Sequence, residues 1–403
     1  MESTTVNAFA RTDVPMIQGV TARARPQPDA QEKIEILGHA ARYDLCGEAC
    51  GTEASRKLDE MGRWIYPAVM PDGKRISLLK VLLSNACQKN CAYCANRVGR
   101  DTRRISFTPD ELARLFDQTV HRGLVQGLFL SSGVCNSAVQ TMDRMIATVE
   151  LIRERYQFRG YVHLKLLPGI SRDQVERAGQ IAQRVSVNLE VPNRERLSQI
   201  APHKTADEVL NPMRWASEFI ARGEGRWAPA GQTTQFVVGA ADESDSEIMT
   251  TVVHLYQKLH LHRAYFSAFQ PIVDTPLEGH PLTPAWREHR LYQCDYLFRL
   301  YQFGLNDLIF DQDGFLLREA DPKTIWARAH PEFFPVEINR APRETLLRVP
   351  GIGPRSASHI VKWRLQGKFC TLQDLSKTGA VAQRAAPFIL LDGKRPTYQL
   401  SFW

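Results

Sequence analysis

Three cysteines, Cys87, Cys91 and Cys94, follow one another in the spacing C-x3-C-x2-C, with Tyr93 directly before the last. Thiolates grouped this closely bind soft metals, so the segment indicates an iron–sulfur cluster, zinc or Cu(I). The number three is informative, because a structural zinc site is normally closed by four ligands and most clusters also take four thiolates. A cluster held by three leaves one iron open to another ligand. The alternatives are a zinc knuckle without its fourth ligand and three unrelated buried cysteines.

The elements around these cysteines predict where they lie in the fold. Ile76 to Leu83 is apolar and predicts a buried strand, and Tyr66 to Gly73 before it is rich in turn residues. Beyond the cysteines, short strands such as Val185–Val191 and Ala264–Phe269 alternate with helical segments, giving about six repeats. Such alternation is typical of a parallel sheet with helices outside, and α/β barrels hold their active sites at the carboxyl ends of the strands. We therefore predict an α/β fold, a partial (β/α)6 TIM-type barrel, with the cysteines on the exit loop of its first strand.

The cysteine spacing, with an aromatic residue at that place, resembles the signature of the radical SAM enzymes. In that family three cysteines hold a [4Fe-4S] cluster, and the open iron binds the amino and carboxylate groups of S-adenosylmethionine. One electron from the cluster then splits the sulfonium into methionine and a 5′-deoxyadenosyl radical. The resemblance also implies a partial six-stranded barrel, which agrees with the predicted repeats.

The resemblance further nominates residues that contact S-adenosylmethionine. Ser131 to Gly133 leaves the second strand, where the family has a glycine-rich segment that binds the methionine amino group, and here two serines replace a glycine pair. The third and fourth strands carry residues where the family contacts ribose and carboxylate, and an ion pair between Lys165 and Glu190 is the structural alternative. No catalytic residue is assigned. The nominated residues are Tyr93, Ser131, Ser132, Gly133, Lys165, Ser186, Asn188 and Glu190. Four arginines after the cysteines either steer an anionic substrate or form a basic surface loop: Arg97, Arg100, Arg103 and Arg104.

The positive charge is concentrated at the end of the chain. Ile338 to Trp403 holds eleven Lys and Arg against three Asp and Glu, whereas the rest of the 403 residues holds 40 against 41. A local excess of this kind is typical of a site for a polyanion, with a solvated basic face as the alternative. No apolar run is long enough to span a bilayer and the first residues lack the apolar core of a secretory signal, so we expect a cytoplasmic protein without membrane contact.

The basic region contains two short helical segments around Pro350-Gly351-Ile352-Gly353. This pattern resembles a helix-hairpin-helix motif, a sequence-independent DNA-binding element. Glycine lets the backbone approach a ligand closely, and the amino end of the second helix presents N–H groups to a phosphate. Use of the motif for packing or protein contact is the alternative. The nominated contacts are Pro350, Gly351, Gly353, Arg355, Lys362 and Arg364, and the predicted core is Leu346, Leu347, Val349, Ile352, Ala357 and Ile360.

The domain prediction follows from these features: 1–30 a disordered lead, 31–75 a helical and turn extension, 76–280 the radical SAM barrel, 281–337 a helical linker that closes the barrel, and 338–403 the nucleic-acid-binding domain. The two halves together resemble radical SAM proteins described as DNA modification or repair factors. That resemblance implies DNA as a partner, a flavodoxin or ferredoxin as electron donor, and a uracil-DNA glycosylase-like partner. An RNA-modifying radical SAM enzyme and a non-enzymatic iron–sulfur DNA-binding protein are the alternatives. The pair Cys46 and Cys50 is interpreted as an accessory metal site or as two thiols without a ligand.

Overall fold

A computed structural model describes residues 28–43, 65–69, 75–223 and 225–398, so Cys46 and Cys50 lie outside the described residues. Seven strands form one sheet in chain order: β1 Ile65–Val69, β2 Arg75–Leu82, β3 Gly127–Ser131, β4 Tyr161–Lys165, β5 Arg184–Ser186, β6 Gln232–Val238 and β7 Leu261–Ala268. Strands β2 to β7 are parallel to one another. The predicted partial barrel with six parallel strands is confirmed.

Helices alternate with these strands: α1 Ala30–Ala40, α2 Pro109–His121, α3 Ala138–Glu154, α4 Arg172–Ile181, α5 Arg194–Ile200, α6 Ala206–Arg222 and α7 Asp245–Lys258. Local sequence sets their beginnings. Thr108 and Glu111 form a reciprocal capping box at the start of α2, and Ser244 and Glu247 form another at the start of α7. Their apolar faces and the sheet share one continuous core, which fixes the strand ends that carry the polar residues.

Two predictions about the strands are wrong in detail. The first part of the segment predicted as a turn, from Tyr66 to Val69, instead lies in β1, which pairs antiparallel with β2 and is an edge of the sheet. Pro67 is tolerated there, because an edge strand does not need every N–H for pairing. The strand predicted over Val185–Val191 ends at Ser186, and only Glu190 pairs again, as an isolated bridge to β6 with a positive φ of 70°. That backbone turn redirects the chain at the rim of the barrel.

Helix α8, Ala285–Leu300, covers the other edge of the sheet, β7. The Tyr292 hydroxyl accepts a hydrogen bond from the Phe266 N–H at 3.1 Å and donates to the Phe266 carbonyl at 3.0 Å. The Glu288 carboxylate accepts from the Ala268 N–H at 2.7 Å. Edge groups left unpaired would invite another strand, so these side chains complete the edge. Since an earlier helix residue meets a later strand residue, α8 runs antiparallel to β7.

Helix α9 Pro322–Ala329 packs into the barrel core through Trp326 and Ala327. The C-terminal region after it is a helical unit with its own core: β8 Val336–Glu337, α10 Arg343–Arg348, α11 Pro354–Trp363, α12 Leu372–Lys377, α13 Ala382–Ala385 and β9 Ile389–Leu390. The six predicted core residues are all buried in this second core. Strands β8 and β9 pair in parallel and tie the start of the unit to its end. Within the described residues no helix is long and apolar enough to cross a membrane.

The C-terminal unit is docked firmly on the barrel. The Lys323 ammonium on α9 donates to the Ile352 carbonyl at 2.7 Å, in the loop between α10 and α11. Arg348 forms an ion pair with Asp307 at 2.8 Å, and its guanidinium lies 4.0 Å from the centre of the Phe303 ring. Hydrogen bonds, charge and stacking therefore fix the loop between α10 and α11 against the segment that follows α8.

Candidate functional site

The cysteine loop leaves the carboxyl end of β2, where the sequence predicted it. Backbone hydrogen bonds join it to the segment leaving β3: the Gly133 N–H donates to the Ser84 carbonyl at 2.7 Å, and the Gln88 N–H donates to the Val134 carbonyl at 2.8 Å. The loops that follow β2 and β3 are thus hydrogen-bonded to each other, and the thiols are held at the rim of the barrel.

The three cysteine side chains are free thiols in a partly protected environment. Cys91 is buried, and Cys87 and Cys94 are half-buried. Two thiol sulfurs accept backbone hydrogen bonds from within the loop, Cys87 from the Lys89 N–H and Cys94 from the Asn96 N–H, each at 3.4 Å. Backbone N–H groups aimed at cysteine sulfur stabilise negative charge there, as they do around bound iron–sulfur clusters.

The chemistry of these thiols fits metal binding. Burial raises the pKa of the Cys91 thiol, and it raises that of Cys94 to about 12. Without a metal both groups therefore hold their protons at neutral pH, and metal binding has to displace them. Among the residues described, no group of three His, Cys, Asp or Glu side chains surrounds a position for a single metal ion.

The arginines after the cysteines fasten the loop. Arg100 donates to the Ala95 carbonyl at 3.0 Å and to the Val273 carbonyl at 3.1 Å. Arg104 spreads its guanidinium over four backbone carbonyls of the loop, at distances from 2.7 to 3.0 Å: Asn85, Asn96, Arg97 and Arg100. The planar guanidinium donates to all four carbonyls and so orders a segment that has no regular secondary structure.

Gly133 lies where the loop after β3 contacts the cysteine loop after β2. A Cβ atom on this residue would be 2.6 Å from the Ala86 carbonyl oxygen and 3.0 Å from the Cys87 Cβ. Only glycine allows this approach. Beside it, Ser131 is buried, and the Ser132 hydroxyl donates to the Gly133 carbonyl at 2.7 Å. The structure therefore brings the predicted Ser131 to Gly133 segment against the first cysteine.

The residues predicted on the third and fourth strands gather on the same side. Lys165 ends β4 directly opposite Ser186 in the parallel register. The Ser186 hydroxyl is 2.8 Å from the His163 Nε2 and is buried. Asn188 donates to the Glu190 carboxylate at 3.5 Å. The cluster thus combines hydroxyl, amide, ammonium and carboxylate groups.

Lys204 was missed by the sequence analysis. Its ammonium forms an ion pair with Glu190 at 3.0 Å, and the two side chains are only 10% and 6% exposed. The Ala92 N–H, between two of the cysteines, donates to the Ile200 carbonyl at 2.7 Å and so places this segment against the cysteine loop. The pattern APHKT lies in a connection between α5 and α6 and has no periodicity that would have marked the lysine.

The glycine hairpin joins α10 and α11, the two helical segments that the sequence predicted around it. Pro350 is buried. Gly351 has a positive φ of 82°, and a Cβ there would lie 2.5 Å from the Val381 carbonyl oxygen. Gly353 precedes α11, and a Cβ there would meet only the Tyr301 hydroxyl, at 3.4 Å. Within the described part of the chain no side chain caps the amino end of α11, so the N–H groups of its first turn have no side-chain partner there.

The three basic residues predicted to contact nucleic acid differ in position. Arg355 and Lys362 are exposed. The Arg364 guanidinium instead donates to the Ala341 carbonyl at 2.6 Å and to the Ile338 carbonyl at 3.3 Å. Arg364 therefore braces the start of the unit.

Two protein families match separate parts of the chain. The Radical SAM superfamily matches residues 81–255, and the Helix-hairpin-helix motif matches residues 333–385. The first range begins in β2 and includes the three cysteines and every predicted cofactor contact. The second contains the glycine hairpin and α11. A search of curated proteins finds no match.

Solved structures with a related fold have low sequence identity. They include the FeFe-hydrogenase maturase HydG from Carboxydothermus hydrogenoformans, with 14% identity, a TM-score of 0.44 and 74% of each chain covered. A radical SAM methyltransferase from Sphaerobacter thermophilus has 14% identity and a TM-score of 0.41, over 64% of this chain and 84% of that chain. The chain spans about half the length of another HydG structure (48% of it, with 54% of this chain, 14% identity and a TM-score of 0.43).

Three cysteines at the rim of a half-barrel therefore lie inside the matched superfamily range, on the loop where the chemistry of that superfamily resides. The chain carries one segment that matches the Radical SAM superfamily and a second segment that matches the Helix-hairpin-helix motif.

Proposed function

We propose that this enzyme performs radical chemistry on nucleic acid, with DNA as the substrate. The observation that carries this proposal is the uncapped amino end of α11 behind a glycine hairpin, in the same chain as the radical SAM domain. The N–H groups there suit a backbone phosphate, and Arg355 and Lys362 add positive charge beside it. Such contacts hold the backbone and read no sequence.

The proposed cluster ligands are Cys87, Cys91 and Cys94. When bound, the cluster and S-adenosylmethionine supply a 5′-deoxyadenosyl radical that abstracts a hydrogen atom or adds to the substrate. The protein orients the cofactors and excludes water from them. The proposed S-adenosylmethionine contacts are Tyr93, Ser131, Ser132, Gly133, Lys165, Ser186, Asn188 and Glu190. The cluster also needs a low-potential one-electron donor, for which a flavodoxin or ferredoxin is suited.

The radical chemistry is tested by anaerobic reconstitution with iron and sulfide. We expect 5′-deoxyadenosine after addition of dithionite and S-adenosylmethionine, and its loss in Cys87→Ala, Cys91→Ala and Cys94→Ala. Cys370→Ala is the matched control, because Cys370 is an exposed thiol in the C-terminal unit. Unchanged product in any of the three loop variants would exclude that cysteine as a ligand.

The nucleic-acid contact is tested with Gly353→Val. An added Cβ meets only the Tyr301 hydroxyl, at 3.4 Å, so the fold should persist while the approach of a phosphate is obstructed. We expect binding of duplex DNA to weaken at least about tenfold and its salt dependence to become shallower. Gly367→Val is the control, since a Cβ there has no neighbour within 4 Å.

Single-stranded DNA and RNA are measured beside the duplex. Tighter binding of RNA, lost in Gly353→Val, would favour an RNA-modifying enzyme. Equal, salt-insensitive binding by both glycine variants and the wild type would show that the hairpin serves packing alone. The contact between Lys323 and the Ile352 carbonyl is the observation behind that second outcome.

A further inference from the structure

Lys204 forms a buried charge pair with Glu190, one of the proposed cofactor contacts, but has itself no role in the function described so far. Lys204 and Glu190 are 3.0 Å apart and almost fully removed from solvent. Removing two charges from water costs more free energy than their attraction alone commonly returns. Glu190 also adopts a left-handed backbone, which a non-glycine residue keeps only where its surroundings require it. The pair is therefore a feature that packing alone does not explain.

The segment that carries Lys204 lies beside the cysteine loop. The segment from Ile200 to Lys204 is joined to the cysteine loop at two points: the Ile200 carbonyl accepts the Ala92 N–H at 2.7 Å, and the His203 carbonyl accepts the Lys89 ammonium at 2.7 Å. These two contacts hold the segment that carries Lys204 at a fixed position beside the loop.

The two charges of the pair act on the cysteine loop with opposite signs. The Lys204 ammonium is positive and the Glu190 carboxylate is negative, and both are buried, with Lys204 on the segment that contacts the loop. A buried cation favours negative charge on a group bound at the neighbouring cysteines, and a buried carboxylate opposes it. In a buried site such an interaction is little screened by solvent or salt.

We propose that Lys204 is the buried counter-charge of the [4Fe-4S] cluster, that it stabilises the reduced form, and that Glu190 holds it in place and partly opposes it. This inference rests on the proposed cysteine ligands. Reduction adds one electron, which a low-potential donor supplies, and makes the cluster with its three thiolates more negative by one charge. No bond is formed or broken at Lys204, and its proton stays on the ammonium.

The test is a potentiometric dithionite titration of the reconstituted full-length protein, without S-adenosylmethionine, followed by the electron paramagnetic resonance signal of the reduced cluster. At the wild-type midpoint we expect Lys204→Gln to lower the ratio of reduced to oxidised cluster about tenfold, which is 59 mV for a one-electron couple. Glu190→Gln should shift the midpoint in the opposite direction. Lys204→Arg keeps the charge and should stay close to the wild type.

The opposite signs separate an electrostatic role from a structural one, because loss of an ion pair would affect both single variants alike. Each single variant leaves one buried charge unpaired and should lower the melting temperature of the apoprotein. The double variant Lys204→Gln/Glu190→Gln removes both charges and should recover it, and its midpoint should lie between those of Lys204→Gln and the wild type. Lys368→Gln, on the exposed surface of the C-terminal unit, should change nothing.

Three results would overturn the inference. Midpoints that shift in the same direction in both single variants, or do not shift, would show that the pair is structural. Weaker binding of S-adenosylmethionine by Lys204→Gln at an unchanged midpoint would make Lys204 a ligand of the cofactor. A wild-type protein that takes up no iron would remove the proposed cysteine ligands and this inference together.

Discussion

Gly133 makes the sharpest prediction at the scale of single residues. The Gly133→Ala substitution would place a Cβ against the Ala86 carbonyl oxygen and the first cysteine, so the two strand exits must separate. Overpacking of this kind typically costs about 1–3 kcal/mol of the free energy of unfolding. We expect that loss in urea unfolding of the apoprotein, together with a lower iron content after reconstitution.

Gly279→Ala is the matched control, since Gly279 lies in an exposed turn and a Cβ there has no neighbour within 4 Å. It should keep both the stability and the iron content of the wild type. Full iron content and normal stability in Gly133→Ala would mean that the cysteine loop can move aside. Gly133 would then be needed only for contact with the cofactor.

Residue identity predicted the chemistry of the site better than its architecture. The spacing of the three cysteines is visible in the sequence, and so is the pattern of Pro and Gly that marks the hairpin. Lys204 could not be found in this way, because it meets Glu190 only through folding of a connection without a pattern. Arg364 shows the converse: its position beside the hairpin suggested a phosphate contact, but two backbone carbonyls are within its reach.

At the scale of elements, the alternation of strands and helices was predictable, and the bounds of individual strands were not. The alternation of strands and helices fixed the parallel sheet, since each crossover needs a helix to return the chain. Strand β1 was missed because Pro67 argues against a central strand, and an edge strand leaves no stronger signal. The early end of β5 was also missed, because the left-handed turn at Glu190 depends on its tertiary contacts.

The contact between α9 and the glycine hairpin predicts a pH dependence. Burial, and then the nearby Arg348 charge, lowers the pKa of Lys323 to about 7 from an ordinary value of 10.5. Between these two values the unfolded chain binds a proton that the folded chain lacks, so the free energy of unfolding rises with pH. The contribution approaches about 1.4 kcal/mol per pH unit.

The measurement is urea unfolding of wild type and Lys323→Met between about pH 7 and pH 8.5, a range within the window set by these pKa values. Because other groups titrate equally in both proteins, the difference in free energy of unfolding isolates Lys323. We expect the free energy of unfolding of the wild type to increase relative to that of Lys323→Met as the pH rises. Lys362 is an exposed lysine on α11, so the free energy of unfolding of Lys362→Met should change with pH as that of the wild type does. If Lys323→Met shows the same pH dependence as the wild type, Lys323 stays charged in the folded protein.

At the scale of the whole molecule, α8 separates the cysteine loop from the glycine hairpin. Its first turns meet the carboxyl end of β7, on the rim that also carries the cysteine loop. Its far end leads to Tyr301, which lies against Gly353 of the hairpin. Sixteen residues of helix correspond to about 24 Å. The hairpin therefore lies near the amino ends of the strands, well removed from the cysteines.

This separation constrains any DNA that uses both ends at once. At about 3.4 Å per base pair, 24 Å is about seven base pairs, so the phosphate gripped by the hairpin and the reacting nucleotide cannot be neighbours. DNA with a shorter stem can occupy the hairpin but cannot reach the rim. The reacting base would in addition have to leave the duplex to enter the barrel.

We therefore expect DNA-dependent formation of 5′-deoxyadenosine to require a minimum length that binding does not. DNA hairpins with stems from about 4 to about 16 base pairs would be compared at saturating concentration, with binding followed separately by fluorescence anisotropy. Stems below about seven base pairs should bind without raising product formation, and longer stems should do both. In Gly353→Val the longer stems should no longer raise product formation, because the phosphate contact at the hairpin is what positions them. Equal stimulation by the shortest stem would place the phosphate contact beside the cysteines, which the antiparallel course of α8 along β7 does not allow.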